Sequence, residues 1–396
     1  MEIEIERLVH RGLGLARAEG KTIFVPAVIP GETVLCTIER EKKSFAFGRV
    51  KKILKPSPHR VIPECAYFQE CGGCQLAHID YQHQLQIKSE VLAETLRRGA
   101  GFDPATVLEP IVPSPAPLQY RTRLRLHVLS GETGFKAFQT DKFVKVADCL
   151  LACKELRQAI PALKGLLREL RAEKNFEIEL DFDPASAKVF ALVSARKRSA
   201  WLLERGRFIK AGPDEKGLDR LLSFVQVNPE QNQKLVELVA GLAGSARAKT
   251  CLELFAGAGN LSFELAGKVD KLVSVEINRS AVRLANQLKM ERKVGNVEFV
   301  AQASENYLDY ALRAGLRFDL VVLDPPRTGA KKEAVKIAGL NPRAIIYVSC
   351  EPSTLARDLK TMLGAGYRAE KIIPIDMFPQ TFHIETITLL TRGVKP

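Results

Sequence analysis

Thr250-Cys251-Leu252-Glu253-Leu254-Phe255 runs directly into Ala256-Gly257-Ala258-Gly259-Asn260 and then a helix-like stretch, Leu261 to Ala266. A short apolar run, a Gly-x-Gly turn and a helical pattern predict a parallel strand turning into a helix. Gly257 and Gly259 let the backbone turn tightly and approach a ligand closely. The dinucleotide fingerprint asks for a third glycine or alanine where this chain has Ser262, so a pyrophosphate site is disfavoured. Glu276 closes the second strand pattern, Leu272 to Ile277, at the tip where a carboxylate accepts hydrogen bonds from both hydroxyls of a ribose. A nucleoside without a pyrophosphate points to S-adenosylmethionine. An unrelated strand-turn-helix with a surface glutamate is the plainer alternative.

Downstream, strand patterns at Val297 to Val300, Leu320 to Leu323, Ala344 to Ser349 and Thr386 to Leu390 alternate with helical ones. That texture predicts an α/β unit whose mostly parallel sheet is covered on both faces. Leu320-Val321-Val322-Leu323 discharges into Asp324-Pro325-Pro326-Arg327, and two prolines hold Asp324 rigidly at the carboxyl edge of the sheet. Pro-Pro turns also grip bases in adenine methyltransferases, but with Tyr or Phe where Arg327 stands, so a different base is expected. The next strand delivers Cys350 to the same edge, beside a helix N-terminus that favours a thiolate. A lone cysteine after an apolar strand is more often an inert core residue, so its neighbours decide. His383 and Glu385 lie two residues apart, on one face of the start of the last strand, and a carboxylate there can serve as a base. A thiolate and a base beside a methyl donor are what methylation at a pyrimidine C5 requires. That carbon becomes nucleophilic only after C6 has been attacked.

The 396 residues carry 59 Lys and Arg against 46 Asp and Glu, a net +13 that favours a polyanionic partner, most commonly nucleic acid. Met1 to Arg7 alternate acid and aliphatic without a basic leader, and no apolar run approaches the length of about 18 residues that spans a membrane. A cytoplasmic protein without a membrane partner, and a monomer, is expected. Residues 1–57 read as short strands joined by turns, an OB-like barrel. Phe45 and Phe47 lie among Lys42, Lys43, Arg49, Lys51 and Lys52, a pattern suited to stacking bases along a phosphate backbone. A solvated edge strand with its aromatics turned into the core is the alternative. Pro56 and Pro58 close that module. A β-rich region then runs over 58–223, with a helix over about 81–98. Arg121, Arg123 and Arg125 at i, i+2 and i+4 share one strand face, which could grip phosphates or simply face solvent. Cys65, Cys71 and Cys74 are too close together for core packing, and with a distant Cys149 they could hold zinc or an iron–sulfur cluster. Spacing alone does not select between these, and Cys153 is a further thiol nearby. Cys36 and Cys251 read as packing residues.

The motifs Asp324-Pro325-Pro326-Arg327-Thr328-Gly329, Tyr347 to Asp358 and Asp376 to Glu385 resemble those of the RNA uridine-C5 methyltransferase family. Phe224-Val225-Gln226-Val227-Asn228 matches the segment leading into that family's catalytic region. The resemblance implies a class I, Rossmann-like methyltransferase domain over 224–396, with Cys350 as nucleophile and Glu385 as proton-abstracting base. It also implies that Gln226, Phe255, Asn260, Glu276 and Asp324 line the cofactor and base pocket. Glu253 and Ala256 stand where many members have Asp and Cys, Glu351 where Asn is frequent, and Gln302 where an acidic adenine contact is common. Phe24-Val25-Pro26 and Pro30-Gly31-Glu32 are similar to the TRAM domain, an OB-like RNA-binding barrel. The ribosomal-RNA branch carries a [4Fe-4S] cluster on cysteines matching Cys65, Cys71, Cys74 and Cys149. The resemblance therefore implies an iron–sulfur central domain, with structural zinc as the alternative. It favours 23S rRNA as partner over tRNA, although related archaeal enzymes of this build act on tRNA. Two other classes stay open. An RNA cytosine-C5 methyltransferase would usually carry Pro-Cys after the fourth strand, and a non-catalytic RNA-binding iron–sulfur protein would transfer no methyl group.

Overall fold

The computed structural model describes residues 1–170, 175–194, 198–212, 215, 218 and 225–392. Phe224 and the expected boundary at 223/224 lie outside the described residues. Three sheets organise the chain. The first has six strands: β1 (Glu2–Glu4), β2 (Arg7–Val9), β3 (Leu13–Ala18), β4 (Lys21–Pro26), β5 (Thr33–Glu41) and β6 (Phe45–Lys55), in spatial order β1-β5-β6-β4-β3-β2. Three register shifts between β5 and β6 bend it. The Ile5-Glu6 link, whose N–H groups donate to Glu32 and Leu15 carbonyls, bridges its two edges. Gly48 faces inward where any Cβ would lie 2.3 Å from Cys36 Sγ, so Cys36 packs against glycine in the barrel core. Phe24, Phe45 and Phe47 alternate with buried Ile23, Ala46 and Gly48 and therefore stand on the outside. Their rings form a cluster with centroids 5.7–6.1 Å apart, and the Arg40 guanidinium lies 4.4 Å over Phe47. Aromatics turned into the core are thus not what the strand pattern produced.

The second sheet contains β7 (Arg123–Leu129), β8 (Glu132–Lys136), β9 (Phe143–Lys145), β10 (Asn175–Asp183), β11 (Lys188–Ser194), β12 (Arg198–Glu204) and β13 (Arg207–Lys210). It is antiparallel throughout, in the order β13-β12-β11-β10-β7-β8-β9. Helices Lys154–Ala159 and Leu163–Glu169 cover one face with Leu156, Leu163, Leu166 and Leu167. The expected arginine face does not form a phosphate grip. Arg123 reaches Glu179 and Asp181 at 3.5 and 3.1 Å, and Arg125 reaches Glu177 and Glu179 at 3.9 and 3.3 Å, because an acidic row on β10 lies opposite. Arg121 precedes the strand.

The third sheet has β14 (Thr250–Leu254), β15 (Lys271–Glu276), β16 (Val297–Ala301), β17 (Leu320–Leu323), β18 (Ala344–Ser349), β19 (Tyr367–Ile375) and β20 (Glu385–Arg392), ordered β16-β15-β14-β17-β18-β20-β19. Its first five members are parallel and the β19–β20 hairpin is antiparallel, a Rossmann-like arrangement. The chain order reverses at β14, so the crevice for a ligand opens at the carboxyl ends of β14 and β17. β19 has no counterpart among the strand patterns above, because exposed Arg368 and Glu370 and half-buried Lys371 interrupt its apolar run. No helix among the described residues is long and apolar enough to cross a membrane.

Helix Tyr81–Ala100 is capped by Asp80, which accepts from the His83 N–H, and by left-handed Gly101. Its Leu92 and Leu96 enter the core of the third sheet beside Leu355 and Leu359. A Cβ at Gly99 would lie 2.7 Å from Ala356 Cβ, so this glycine lets the helix approach helix Pro352–Gly364 closely. At its other end Lys88 Nζ meets Asp376 Oδ1 at 2.5 Å and Phe378 O at 3.1 Å, while the Tyr81 hydroxyl donates to Asp376 Oδ2 at 2.9 Å. Both charged side chains are buried, 2% and 0% exposed. Removing one partner of such a pair strands the other charge. Lys88→Met is expected to lower the free energy of unfolding in urea by about 3–5 kcal/mol, and Lys88→Met with Asp376→Leu to recover much of that loss. A single-variant loss below about 1 kcal/mol would show that the pair is not a structural clamp.

Candidate active site

The loop after β14 is wound tightly: Phe255, Gly257 and Gly259 have φ of 61°, 57° and 93°. A non-glycine residue in this left-handed region is strained, so Phe255 is held there by its surroundings. The winding turns the Gly257 N–H onto Glu276 Oε2 at 3.0 Å, while the Asn278 N–H donates to Oε1 at 2.7 Å. Each carboxylate oxygen keeps a lone pair for a ribose hydroxyl. Asn260 and Asn232 exchange two side-chain hydrogen bonds of 2.8 and 2.9 Å across the mouth of the crevice. Gln226 is buried, and Asn228 caps helix Pro229–Ser245 while its amide donates to Met377 O.

Below this loop, Glu253 accepts hydroxyl hydrogen bonds from Ser262 and Ser274 at 2.5 and 2.6 Å. Burial pushes its carboxyl up to about 7 against the pull of those two bonds. Ser262 therefore replaces the fingerprint's last glycine with a hydroxyl engaged by Glu253, an association between two departures that neither position announces alone.

Strand register assembles the reacting edge. Leu254 pairs with Leu323, Leu323 with Tyr347, and Ser349 with Thr386, so the next residues out are Asp324 from β17, Cys350 from β18 and Glu385 at the start of β20. The three acids feel one another. Burial first, then Glu385 and Asp324, push the Cys350 thiol up to about 12, with Arg327 opposing. Burial pushes Asp324 up to about 7. Burial and then Asp324 hold Glu385 well above the usual carboxylate range, with Arg327 again opposing. This corrects the expectation of a thiolate favoured by the helix dipole. Glu351 caps that helix by accepting from the Ser353 N–H, and the two carboxyls and burial outweigh the dipole.

Two clamps hold the edge. Asp358 accepts from the Ala330 N–H at 2.7 Å, the Tyr347 hydroxyl at 2.8 Å and Arg357 Nε at 2.8 Å. Arg357 donates on to Thr328 O, and Thr354 to Arg327 O, fixing the Pro-Pro turn to the helix after Cys350. Gly329, at φ 72°, has no room for a Cβ beside Asp358 and Arg357. The second clamp fixes the segment Asp376 to Ile384 that leads to Glu385. Gln84 and Gln380 exchange bonds of 2.9 and 3.1 Å, the Gln75 and Leu76 N–H groups donate to Gln380 O at 3.1 and 3.0 Å, and the Tyr120 hydroxyl donates to Pro379 O. His383 precedes β20 rather than sharing its face with Glu385. Its ring lies 3.3 Å from Arg327 Nη2 and 4.0 Å from the Phe382 ring centroid, and burial followed by Arg327 pushes it down to about 3.

Cys65, Cys71, Cys74 and Cys149 line one cavity of about 530 Å³ together with Arg121, whereas Cys153 does not line it. All four thiols are free. Burial raises Cys71, Cys74 and Cys149, neighbouring cysteines raise them further, and Arg121 opposes. Among the described residues no three His, Cys, Asp or Glu side chains are grouped to hold a metal ion. The iron–sulfur or zinc expectation therefore has a cavity lined by the right residues but no preformed ligand shell.

Known proteins share this build. The family model described as tRNA (Uracil-5-)-methyltransferase matches residues 220–393, and the TRAM domain model matches residues 1–51. The 23S rRNA (uracil(1939)-C(5))-methyltransferase RlmD of Vibrio parahaemolyticus is 31% identical, over 99% of this chain and 96% of its own. An uncharacterized RNA methyltransferase of Bdellovibrio bacteriovorus is 33% identical, over 98% of this chain and 94% of its own. The tRNA (uracil-54, C5)-methyltransferase of Pyrococcus abyssi, solved with S-adenosyl-L-homocysteine, superposes with a TM-score of 0.71 over 98% of this chain and 100% of its own at 24% identity, which establishes the shared fold. With an S-adenosylmethionine crevice and a thiol set among carboxyls on one sheet edge, behind an N-terminal TRAM domain, the chain belongs to the RNA uracil-C5 methyltransferase family.

Proposed function

We propose that this enzyme methylates C5 of a uridine in 23S rRNA, with Cys350 as nucleophile and Glu385 as base. The observation that carries the chemistry is the convergence of Cys350, Glu385 and Asp324 on one edge beside the glycine-rich crevice. Likeness over nearly the whole chain to enzymes named for 23S rRNA supports the substrate. This reading sets a monomer in the cytoplasm acting on RNA.

The target base leaves its stack to reach an edge this enclosed. Cys350 gives its proton to water and its sulfur bonds to C6, sending the C5–C6 π pair to the O4 enolate. Asp324 hydrogen-bonds the polar edge of the ring and orients it as that charge develops. Gln226, Phe255, Gly257, Gly259, Asn260 and Glu276 would hold S-adenosylmethionine, which would supply an electrophilic methyl group for C5 and leave as S-adenosylhomocysteine. Glu385 then takes the C5 proton, the C5=C6 bond reforms, and the Cys350 sulfur leaves and regains a proton. Because burial and Asp324 raise Glu385, its carboxylate is scarce at low pH. Activity therefore rises with pH.

We further infer that the cysteine cavity holds a [4Fe-4S] cluster on Cys65, Cys71, Cys74 and Cys149. Four free thiols facing one space without a tight ligand group suit a spread-out cluster better than one zinc ion with sulfurs at about 2.3 Å. No step of methyl transfer passes through it. Its ligands flank Gln75 and Leu76, which hold Gln380, so the support is structural.

Wild-type enzyme is expected to form a heat-stable adduct with 23S rRNA carrying 5-fluorouridine, and Cys350→Ala none. Glu385→Gln is expected to accumulate the covalent methylated intermediate. An adduct surviving the alanine change would remove Cys350 from the role, and modification confined to tRNA would replace the substrate. The kcat/KM should still be climbing at pH values above the usual carboxylate range, because Glu385 is held above it, and a flat profile would count against an ionising base. Protein purified without oxygen should carry about four iron and four sulfide per chain, lost in Cys149→Ser and kept in Cys153→Ser. Stoichiometric zinc in place of iron would overturn the cluster.

A further inference from the structure

The N-terminal barrel reaches the reacting edge through the end of β2 and the tight turn that follows it, His10-Arg11-Gly12. Arg11 and Gly12 are both left-handed, at φ 69° and 70°. Arginine is rarely found there, and such residues cluster at ligand-contacting sites. A Cβ on Gly12 would lie 3.1 Å from Gln75 Cβ and 3.5 Å from Phe382 Cβ, so the turn is pressed onto both the cysteine segment and the segment leading to Glu385. His10 Nδ1 lies 3.7 Å from a carboxylate oxygen of Glu351, the residue after the nucleophile, and its ring is edge-on to Phe382 with centroids 5.4 Å apart.

Where these segments meet there is a cavity of about 600 Å³, bordered by Arg11, Arg327, Glu351, Phe382 and His383. Its volume is that of an ordinary small-ligand site. A narrower cleft of about 20 Å³ shares His10, Arg11, Glu351, Phe382 and His383 with it and ends at Cys350. The cavity thus adjoins the nucleophile's surroundings across those shared residues. Burial lowers both histidines, His383 to about 3, so they are uncharged at neutral pH. Arg11 and Arg327 are exposed and have no carboxylate partner among the described residues, leaving Glu351 as the acidic group in the lining. Two guanidinium groups without a salt bridge, that of Arg327 lying 3.3 Å from the His383 ring, beside the tilted Phe382 and His383 rings, match the two recurring features of single-stranded RNA, a phosphate and a base face.

We propose that this junction cavity seats a nucleotide next to the target uridine, its base against Phe382 and His383 and its phosphate on Arg11 and Arg327. The barrel turn is then a wall of the substrate site, and it ties recognition of the neighbouring nucleotide to the position of Cys350. The proposal rests on the RNA-methylating reading above.

The test uses the full-length enzyme and the shortest RNA fragment in which the wild type installs 5-methyluridine. Arg11→Gly removes the charge while glycine accepts the left-handed backbone, so the turn keeps its shape. Its affinity for the fragment is expected to fall about five- to tenfold, and the slope of log K against log salt to shrink by about 0.7 to 0.9, the signature of one lost phosphate contact. Replacing one of the two flanking nucleotides by an abasic residue should weaken wild-type binding about tenfold. An unchanged salt slope in Arg11→Gly, or abasic residues tolerated on both sides, would overturn the proposal while methylation by the wild type stands. If the wild type methylates no uridine in any RNA, the fault lies with the activity assigned above, not with the cavity.

Discussion

A buried carboxylate, Asp376, fixes the part of this structure that its own backbone hydrogen bonding cannot. The segment from Asp376 to Ile384 has no regular secondary structure, yet it leads directly to Glu385. Lys88 and Tyr81 meet Asp376 from one helix, Gln84 of the same helix pairs with Gln380, and Gln75 and Leu76 hold the Gln380 carbonyl. Such a cluster stabilises only when every partner is present, because each leaves a costly buried polar group if one is lost. The position of Glu385 is therefore set from far away in sequence, 288 residues separating Lys88 from Asp376, by a helix that precedes the catalytic sheet in the chain.

That fixed position creates the electrostatic problem of the site. Cys350, Asp324 and Glu385 are all acids, and enclosing them together disfavours charge on each. Arg327, on the Pro-Pro turn, is the cation that opposes the shift at both Cys350 and Glu385. Its place is held by Asp358 and Arg357 through the turn. The free enzyme thus keeps its thiol protonated. This suits a nucleophile whose partner is a ring that must first flip out and enter, since an idle protonated thiol is less open to oxidation than a thiolate.

Much of the catalytic sheet was legible because parallel strands buried on both faces leave unbroken apolar runs, as in Leu320–Leu323 and Ala344–Ser349. The tight turn at Gly257 and Gly259, the Pro-Pro turn and the helix beginning at Tyr81 follow from local residue chemistry and were equally readable. β19 was not, since Arg368, Glu370 and Lys371 break its apolar pattern. The arginines at 123 and 125 could be read as gripping phosphate or facing solvent, and their carboxylate partners were not legible because the acidic strand that pairs with them lies more than 50 residues later. The charge on Cys350 was misjudged for a related reason: a helix dipole is local, but burial and two carboxyls arriving from other strands are not.

The sequence alone determined the alternation of the parallel strands with helices in the catalytic sheet and the residue types at the tips of β14, β15, β17, β18 and β20. Those depend on periodicity, turn chemistry and motifs that act over a few residues. Only the tertiary structure decided which tips adjoin, that Cys149 rather than Cys153 faces the cysteine cavity, and that the barrel turn at Arg11 stands beside Cys350. Those outcomes depend on strand register and on buried pairs between distant residues, whose energies exist only once both partners have lost their water.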